Sequence, residues 1–296
     1  MLGNYFELPF LLGVHVWKRN RRLISREETK NQERNEFQLK GKKVLKTGLG
    51  RLGLEIRRAP GGKFDEEGLL HDSSGDAEIW NEVKQFTMTS QMRVQALISA
   101  VRYVVDNDIP GDFVECGVWR GGSAMAIAKV LVDLGVQDRR IWLYDTFEGM
   151  TPPTVEDLET LTGNRAIDLL NSTQVDDGNN VWCVASITDV KSNLRETGYP
   201  PELLKFIKGD VGATLYQESP KSIALLRLDT DWYESTAIEL EVLYPLLSQG
   251  GVCIIDDYGH WAGAKKAVVE YFAKNPPSPL LSRIDYTGRL LVKVKV

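Results

Sequence analysis

Two short apolar runs that each end in acidic residues constrain the fold of this chain most. The first run ends at Asp229, and the second ends at the adjacent pair Asp256 and Asp257. Residues 235–247, which lie between the runs, carry apolar side chains near helical spacing and are followed by two glycines that stop a helix. The segment therefore predicts a strand, a crossover helix and a second, parallel strand.

The three acids are expected to lie close together. Parallel strands joined by a right-handed crossover end at the same edge of a sheet, and neighbouring strands lie roughly 4.8 Å apart. Open α/β sheets bind ligands at that edge. Crowded carboxylates repel one another unless a cation or a shared proton relieves them, and an all-oxygen cluster suits Mg²⁺, Mn²⁺ or Ca²⁺ better than zinc. Asp229, Asp256 and Asp257 are therefore candidate metal ligands.

The composition is typical of a globular enzyme with reduced cysteines. The chain has 296 residues, of which 43% are hydrophobic and 26% charged, so it can form one large domain and an extension. Cys116, Cys183 and Cys253 form no CxxC or Cys/His cluster. We interpret them as reduced residues, which favours a cytoplasmic location and argues against a zinc site.

Charge divides the chain into a basic N-terminal extension, residues 1–63, and an acidic domain, residues 64–296. Residues 18–63 hold 15 Lys and Arg against 5 acidic residues, although the whole chain has a net charge of -5. Residues 1–17 fit neither a membrane-spanning helix nor a signal peptide. The extension is interpreted either as a solvated segment or as a weak contact with an anionic membrane surface. The acidic domain argues against nucleic acid as a partner.

A second strand-turn-helix unit lies early in the acidic domain. Residues 112–117 predict a strand, and a glycine-containing turn leads from it into a helix over residues 124–134. Glycines at such a turn let a ligand approach the backbone, and the helix N-terminus offers unpaired amide donors. The next predicted strand, residues 140–145, ends in Asp145, which is placed to bind a ribose diol. The glycine pattern differs from GxGxxG and is a weak signal alone.

The remaining patterns predict the fold class. Further strands are expected at residues 204–207, 223–228 and 251–255, and residues 282–286 and 290–296 flank a Thr-Gly hairpin signal. The predicted fold is α/β: a doubly wound, mostly parallel seven-stranded sheet with a C-terminal antiparallel hairpin. This Rossmann-like architecture is associated with class I methyltransferases, which use S-adenosylmethionine.

Five short segments of the sequence resemble motifs of the macrocin O-methyltransferase family. Members of that family methylate sugar hydroxyls in antibiotic biosynthesis. The segments are MTS at residues 88–90, GDFVECGVWRGGS at 111–123, YDTFEGM at 144–150, LDTDWYEST at 228–236 and DDYGHW at 256–261. They occur in the family's order and span roughly residues 85 to 275. Each segment alone is weak evidence for the family, but the five segments together are specific to it.

The resemblance implies an S-adenosylmethionine site, a Mg²⁺ site and a homodimer. The donor-binding residues that it implies are Glu115, Gly117, Gly121, Gly122, Ser123, Asp145, Ser186 and Asp210. Its metal-binding acids correspond to Asp229, Asp256 and Asp257. The implied acceptor is a small hydroxylated molecule of the glycoside class.

Asp229 is the candidate catalytic residue. A sugar hydroxyl keeps its proton at neutral pH and is a poor nucleophile toward a sulfonium methyl group. A divalent cation lowers the pKa of a bound hydroxyl, and a nearby carboxylate takes the proton. We expect Asp229 to serve both as a metal ligand and as this base.

Several alternatives stay open at the level of sequence. A catechol or other phenol would chelate the same cation, and a non-catalytic adaptor would keep only the donor-binding fold. Adjacent acids often cap a helix instead of binding metal. His260 is either a base near the acceptor or an ordinary polar residue. Trp232, Tyr258 and Trp261 either stack on a sugar or pack in the core or at a subunit interface. Residues 150–181 either cover the acceptor or form an insertion.

Overall fold

The computed structural model describes residues 74–172 and 182–294. The predicted N-terminal extension and its boundary at residue 63 lie outside these ranges. Within them, seven strands form one sheet. The strands are β1 (Asp112–Cys116), β2 (Ile141–Asp145), β3 (Leu204–Lys208), β4 (Ile223–Leu228), β5 (Leu247–Ile255), β6 (Ser282–Arg283) and β7 (Arg289–Val292).

Helices connect and cover the strands. The α-helices of the described ranges are α1 (Ser74–Val83), α2 (Gln91–Asp106), α3 (Gly122–Asp133), α4 (Ala166–Ser172), α5 (Ile187–Arg195), α6 (Val211–Gln217), α7 (Tyr233–Leu243) and α8 (Ala262–Lys274). Short 3₁₀ turns occur at Lys84–Phe86, Pro201–Leu203 and Tyr244–Leu246. Among these helices, none combines the length and the apolar character that crossing a membrane requires.

The sheet has the topology that the sequence predicts. Its strand order is β3-β2-β1-β4-β5-β7-β6, with parallel pairing from β3 to β5 and antiparallel pairing of β7 with β5 and β6. Both terminal strands are shorter than predicted. Strand β7 ends at Val292, and β6 ends at Arg283 because Asp285 accepts hydrogen bonds from the backbone N–H groups of Thr287 at 2.9 Å and Gly288 at 2.7 Å. These bonds form a turn from residues that the sequence pattern assigns to a strand.

Two buried clusters of apolar side chains cover the two faces of the sheet. Phe113 belongs to the cluster formed with α1, α2, α3 and α5, whereas its neighbour Val114 belongs to the cluster formed with α6, α7 and α8. All six residues of β4 are buried, as expected of a central parallel strand covered on both faces. Five of them are apolar, and the exception is Arg227, which is a buried cation.

Gly117 follows β1 at a point where the backbone just after β4 leaves no room for a side chain. Its φ is +81°, and a Cβ would lie 1.9 Å from the carbonyl oxygen of Asp229. We expect Gly117→Ala to lower the free energy of unfolding by about 3 kcal/mol, because left-handed strain adds to the displacement of Asp229. Urea unfolding measures this loss.

Gly135→Ala is the matched control for Gly117→Ala. Gly135 also has a positive φ, +70°, but nothing lies within 4 Å of an added Cβ. This substitution should cost only the conformational strain, about 1 kcal/mol. Equal losses at the two glycines would contradict the steric explanation.

Candidate active site

The carboxyl ends of the parallel strands open onto a cavity of about 350 Å³. One part of its wall, from the turns after β1, β2 and β3, contains Gly117, Val118, Ser123, Asp145 and Asp210. Another part, from the turns after β4 and β5, the start of α2 and the C-terminal hairpin, contains Thr89, Arg93, Asp229, Asp256, Asp257, His260 and Tyr286. The strand order reverses between β1 and β4, and doubly wound sheets bind ligands at such a reversal.

Asp145 holds the turns around the tip of β2. Its Oδ2 accepts hydrogen bonds from the backbone N–H of Val118 at 2.7 Å and of Trp119 at 3.1 Å, and its Oδ1 accepts one from Phe147 at 2.6 Å. Trp119 and Phe147 have positive φ angles of 47° and 53°. Such conformations cost energy when a side chain is present. The Asp145 carboxylate therefore stabilises two strained turns at the position where the sequence predicts a ribose contact.

Half of the predicted donor-binding residues line the cavity. Those that line it are Gly117, Ser123, Asp145 and Asp210, and those outside its wall are Glu115, Gly121, Gly122 and Ser186. Glu115 is buried, and Ser186 caps α5 by accepting a hydrogen bond from the N–H of Asp189 at 3.1 Å. Gly122 packs against Phe86, where a Cβ would lie 2.7 Å from the backbone. These residues shape the elements around the cavity without forming its surface.

The structure brings Asp229, Asp256 and Asp257 together, as the strand spacing predicts. One carboxylate oxygen from each residue lies within 4.8 Å of the other two. The N–H of Asp229 donates to the carbonyl of Cys116 and that of Asp256 to the carbonyl of Leu228, each at 2.9 Å. The Asp229 side chain is 28% exposed, whereas that of Asp256 is 1% exposed. Asp229 is thus the acid that a ligand in the cavity can reach most easily.

Two arginines that the sequence analysis did not identify contact the acids. Arg227 lies 2.8 Å from Asp229 Oδ2, 2.8 Å from Asp256 Oδ1 and 2.6 Å from Glu115 Oε1. Arg93, on α2, contacts the other carboxylate oxygen of Asp256. An arginine inside the apolar run of β4 is a signal that could have been found in the sequence, because a buried cation requires carboxylate partners.

The cluster contains more acids than bases. Six carboxylates, those of Glu115, Asp229, Asp231, Asp256, Asp257 and Asp285, lie around the two arginines. Burial, followed by repulsion from Asp229, raises the pKa of Asp231 to about 7. Burial, followed by repulsion from Asp231, raises the pKa of Asp257 well above its ordinary value. The surplus negative charge must be offset by protons or by a bound cation.

Trp232 and Trp261 pack against each other beside the acid cluster. They are 3% and 4% exposed, and their rings meet edge to face with centroids 5.0 Å apart. The indole N–H of Trp261 donates to Asp231 Oδ1 at 2.7 Å, and that of Trp232 donates to the carbonyl of Thr151 at 2.9 Å. Both residues are packed in the core and also line the cavity.

His260 and Tyr286 form a more accessible part of the cavity wall. The Tyr286 hydroxyl lies 3.2 Å from His260 Nδ1, and the Tyr286 side chain is 51% exposed. Burial lowers the pKa of His260, so its imidazole is neutral at neutral pH. A neutral imidazole beside an exposed aromatic ring suits an uncharged, hydroxylated molecule.

Residues 150–172 are the described part of the polar stretch 150–181, and residues 173–181 lie outside the described ranges. Hydrogen bonds attach the described part to the site. The buried Asp157 accepts hydrogen bonds from the N–H and the hydroxyl of Thr154 at 2.6 and 2.8 Å. It also accepts one from the N–H of Tyr233, the first residue of α7, at 2.7 Å. Asp157 therefore ties this stretch to the helix that follows the Asp229 turn.

Comparison with known proteins relates this site to a family. The profile of the family described as macrocin-O-methyltransferase (TylF) matches residues 66–293. Demethyldecarbamoylnovobiocin O-methyltransferase from Streptomyces niveus is 35% identical over 222 residues, covering 73% of this chain and 81% of that protein. The 8-demethyl-8-(2,3-dimethoxy-alpha-L-rhamnosyl)-tetracenomycin-C 4'-O-methyltransferase from Streptomyces olivaceus is 37% identical over 226 residues, covering 74% and 82%.

Solved structures give a consistent result. The structure of the O-methyltransferase NovP is 34% identical and superposes with a TM-score of 0.63, covering 74% of this chain and 88% of that chain. The calicheamicin methyltransferase CalS11, which is 20% identical with a TM-score of 0.51, shares the fold. The family profile, the relatives and the fold agree with the five segments of the sequence. The chain therefore belongs to the macrocin O-methyltransferase family and is a methyltransferase.

Proposed function

We propose that the protein transfers a methyl group from S-adenosylmethionine to a hydroxyl of a sugar or glycosylated natural product, with the aid of a divalent cation. The observation that carries this proposal is the convergence of Asp229, Asp256 and Asp257 in one cavity with the turn after β1. A donor and an acceptor bound to these two parts of the wall would lie side by side. Methyl transfer requires this proximity.

The donor is proposed to bind against the turns after β1, β2 and β3. Gly117 and Ser123 line the cavity near the N-terminus of α3, where unpaired amide groups suit the donor's carboxylate. Asp145 is proposed to contact the ribose diol, and Asp210, which caps α6, to border the adenosine. The four predicted residues outside the cavity wall are proposed to support this site indirectly.

The acid cluster is proposed to hold Mg²⁺ or Mn²⁺ through Asp229, Asp256 and Asp257. Its ligands are all oxygen atoms, and its surplus negative charge favours a cation. Asp256 contacts an arginine through each oxygen, so it would bind through its remaining lone pairs. When bound, the ion would lower the pKa of an acceptor hydroxyl.

Asp229 is proposed to take the proton from the acceptor hydroxyl. It is more exposed than Asp256, and Arg227 holds its Oδ2 at 2.8 Å, which fixes the orientation of the carboxylate. A carboxylate with a fixed orientation can act as a general base on a hydroxyl that is positioned next to it.

The proposed acceptor class rests on the relatives and on the cavity wall. The two relatives described above are named as methyltransferases of demethyldecarbamoylnovobiocin and of a rhamnosyl tetracenomycin. His260 and Tyr286 offer the neutral, partly aromatic surface that an uncharged sugar derivative requires.

We further propose that the protein is a cytoplasmic homodimer. In this proposal, residues 1–63 form an extension that has at most weak contact with anionic membranes.

Methyl-transfer assays on a panel of glycosides and catechols test the proposal. We expect a methylated glycoside by mass spectrometry, a loss of at least about 100-fold in turnover with EDTA, and recovery with Mg²⁺ or Mn²⁺. The affinity for S-adenosylhomocysteine, measured by calorimetry, should change by less than about threefold with EDTA, because the groups proposed to bind the donor are different side chains from the three acids proposed to bind the cation. Methylation of catechols alone would contradict the sugar acceptor, and donor binding without turnover on any acceptor would favour the adaptor function.

A further inference from the structure

Arg227 makes more contacts to acids than any simple ion pair requires. Its side chain is 2% exposed, within the central strand β4. Its Nη1 lies 2.6 Å from Glu115 Oε1 and 2.8 Å from Asp229 Oδ2. Its Nη2 lies 2.8 Å from Asp256 Oδ1 and donates to the Thr89 hydroxyl at 2.7 Å. One guanidinium therefore contacts three carboxylates and one hydroxyl.

These contacts join four separate segments at the edge of the sheet. Glu115 is the partner of Arg227 in the register of β1 and β4. Asp229 follows β4, Asp256 follows β5, and Thr89 precedes α2. The segments after β4 and β5 carry the acids proposed to act on the acceptor, and Thr89 lies in the cavity wall. The position of Arg227 thus sets the relative placement of several parts of the site.

We propose that Arg227 is a positioning residue for methyl transfer. Its guanidinium fork fixes the carboxylates of Asp229 and Asp256 relative to each other, so that the acids are arranged for a cation and for the acceptor hydroxyl. This inference rests on the proposed function, because it assigns to Arg227 a role in the same reaction. Arg227 acts through the acids and does not contact the reacting atoms.

The geometry requires an arginine and is not satisfied by positive charge alone. The planar guanidinium presents several N–H donors in a rigid fork, whereas a lysine ammonium is a compact charge on a flexible stem. A lysine at position 227 would keep the net charge of the cluster, yet it would not span Asp229, Asp256 and Glu115 at the observed distances. Arg227→Lys therefore tests geometry at constant charge.

Steady-state kinetics of Arg227→Lys are the first measurement. We expect kcat to fall by at least about tenfold, because the base and the cation ligands lose their fixed arrangement. The KM for the acceptor and the Kd for S-adenosylhomocysteine should each stay within about threefold of the unsubstituted enzyme. A purely structural role would instead weaken donor binding together with kcat.

Manganese binding gives a readout that does not depend on turnover. Free Mn²⁺ is measured by electron paramagnetic resonance in titrations of the full chain without donor or acceptor. We expect Arg227→Lys to weaken Mn²⁺ binding by at least about fivefold, because carboxylates that are no longer held in place lose preorganisation. Since net charge is unchanged, a weaker affinity reports the arrangement of the acids.

Two further variants make the comparison specific. Arg102→Lys is the matched control, because Arg102 also pairs with a buried acid, Asp76, at 2.9 Å. It should leave kcat and Mn²⁺ affinity unchanged, since neither residue lines the cavity.

Thr89→Val removes one hydrogen-bond partner of Arg227 without changing charge, and it should lower kcat by about threefold to tenfold. It tests the role of Arg227 if Arg227→Lys does not fold.

The outcomes separate this inference from the proposed function. An Arg227→Lys enzyme with kcat and Mn²⁺ affinity within about twofold of the original would overturn the positioning role. Parallel losses of kcat and S-adenosylhomocysteine binding would overturn it as well. If the unsubstituted protein methylates no acceptor, the proposed function fails, and the Mn²⁺ comparison still decides whether Arg227 arranges the acids. If Arg227→Lys does not fold, unchanged kcat in Thr89→Val overturns the inference.

Discussion

Asp229→Asn should lower kcat by about 100-fold to 10,000-fold while leaving donor binding intact. The amide keeps the size of the carboxylate but cannot take a proton from the acceptor hydroxyl, and it is a poorer ligand for a hard cation. Asp229 touches the donor-binding turn only through its backbone, which the substitution leaves unchanged, so the Kd for S-adenosylhomocysteine should change by less than about threefold. Steady-state kinetics and calorimetry measure the two quantities on the same preparation.

Asp168→Asn is the control for this substitution. Asp168 lies on α4 with a side chain 65% exposed, and it pairs only weakly with Arg165, at 3.9 Å. The same chemical change there should leave kcat unaltered. Turnover by Asp229→Asn within about threefold of the original would refute the base role. An equal loss of donor affinity would show instead that Asp229 shapes the cavity.

Glu239→Gln should remove a large pH dependence of stability. Glu239, on α7, is fully buried, and its Oε1 accepts a hydrogen bond from the Thr230 hydroxyl at 2.9 Å. Its Oε2 has no hydrogen-bond partner within the described residues. Burial raises the pKa of Glu239 from 4.5 to about 8. The folded protein therefore holds a proton that the unfolded chain releases at neutral pH.

The direction of the effect follows from this difference. Because the folded pKa is raised, the folded state is favoured at low pH, and the free energy of unfolding falls as the pH rises from the unfolded pKa to the folded one. Between about pH 5 and pH 8.5, this single group should lower the free energy of unfolding by about 4 kcal/mol. Glutamine is neutral throughout, so the variant should lack this part of the decline.

Urea unfolding at the two pH values, in EDTA and without donor, measures the difference. Glu241→Gln is the matched control, since Glu241 lies on the same helix and is exposed. That variant should show the same pH dependence as the original protein. A Glu239→Gln protein that loses as much stability as the original between the two pH values would show that Glu239 is ionised in the fold.

The sheet is well encoded in the local sequence, whereas several helices are not. The strand β4 and the second half of β5 follow from apolar runs that end in acids, whereas Gly250 and Gly251, which the sequence pattern assigns to the end of a helix, lie within β5. Ser90 caps α2 by accepting a hydrogen bond from the N–H of Arg93. The helices α4, α5 and α6 have only seven to nine residues. Such short segments show too few turns for a periodic pattern, and tertiary packing determines whether they form.

The acids of the site and one of their partners, Arg227, could be predicted from the sequence, whereas the contact with Arg93 could not. Asp229, Asp256 and Asp257 converge because strand ends in a parallel sheet share one edge, which sequence spacing reveals. Arg93 and Asp256 are 163 positions apart, and their contact depends on how α2 packs on the sheet. Whether Glu115 or Ser186 reaches the cavity depends equally on packing. A motif identifies a turn, but the orientation of each side chain around it requires coordinates.

The close approach between Gly117 and the carbonyl of Asp229 has a consequence for how such enzymes diversify. Because the two chain segments touch through backbone atoms, a substitution that moves one segment also moves the other. New acceptor preferences should therefore arise by changes elsewhere, at positions such as His260, Tyr286 and the stretch around Asp157. Libraries that vary those positions, with Gly117 and Asp229 kept constant, should yield more active variants than libraries that vary the strand ends.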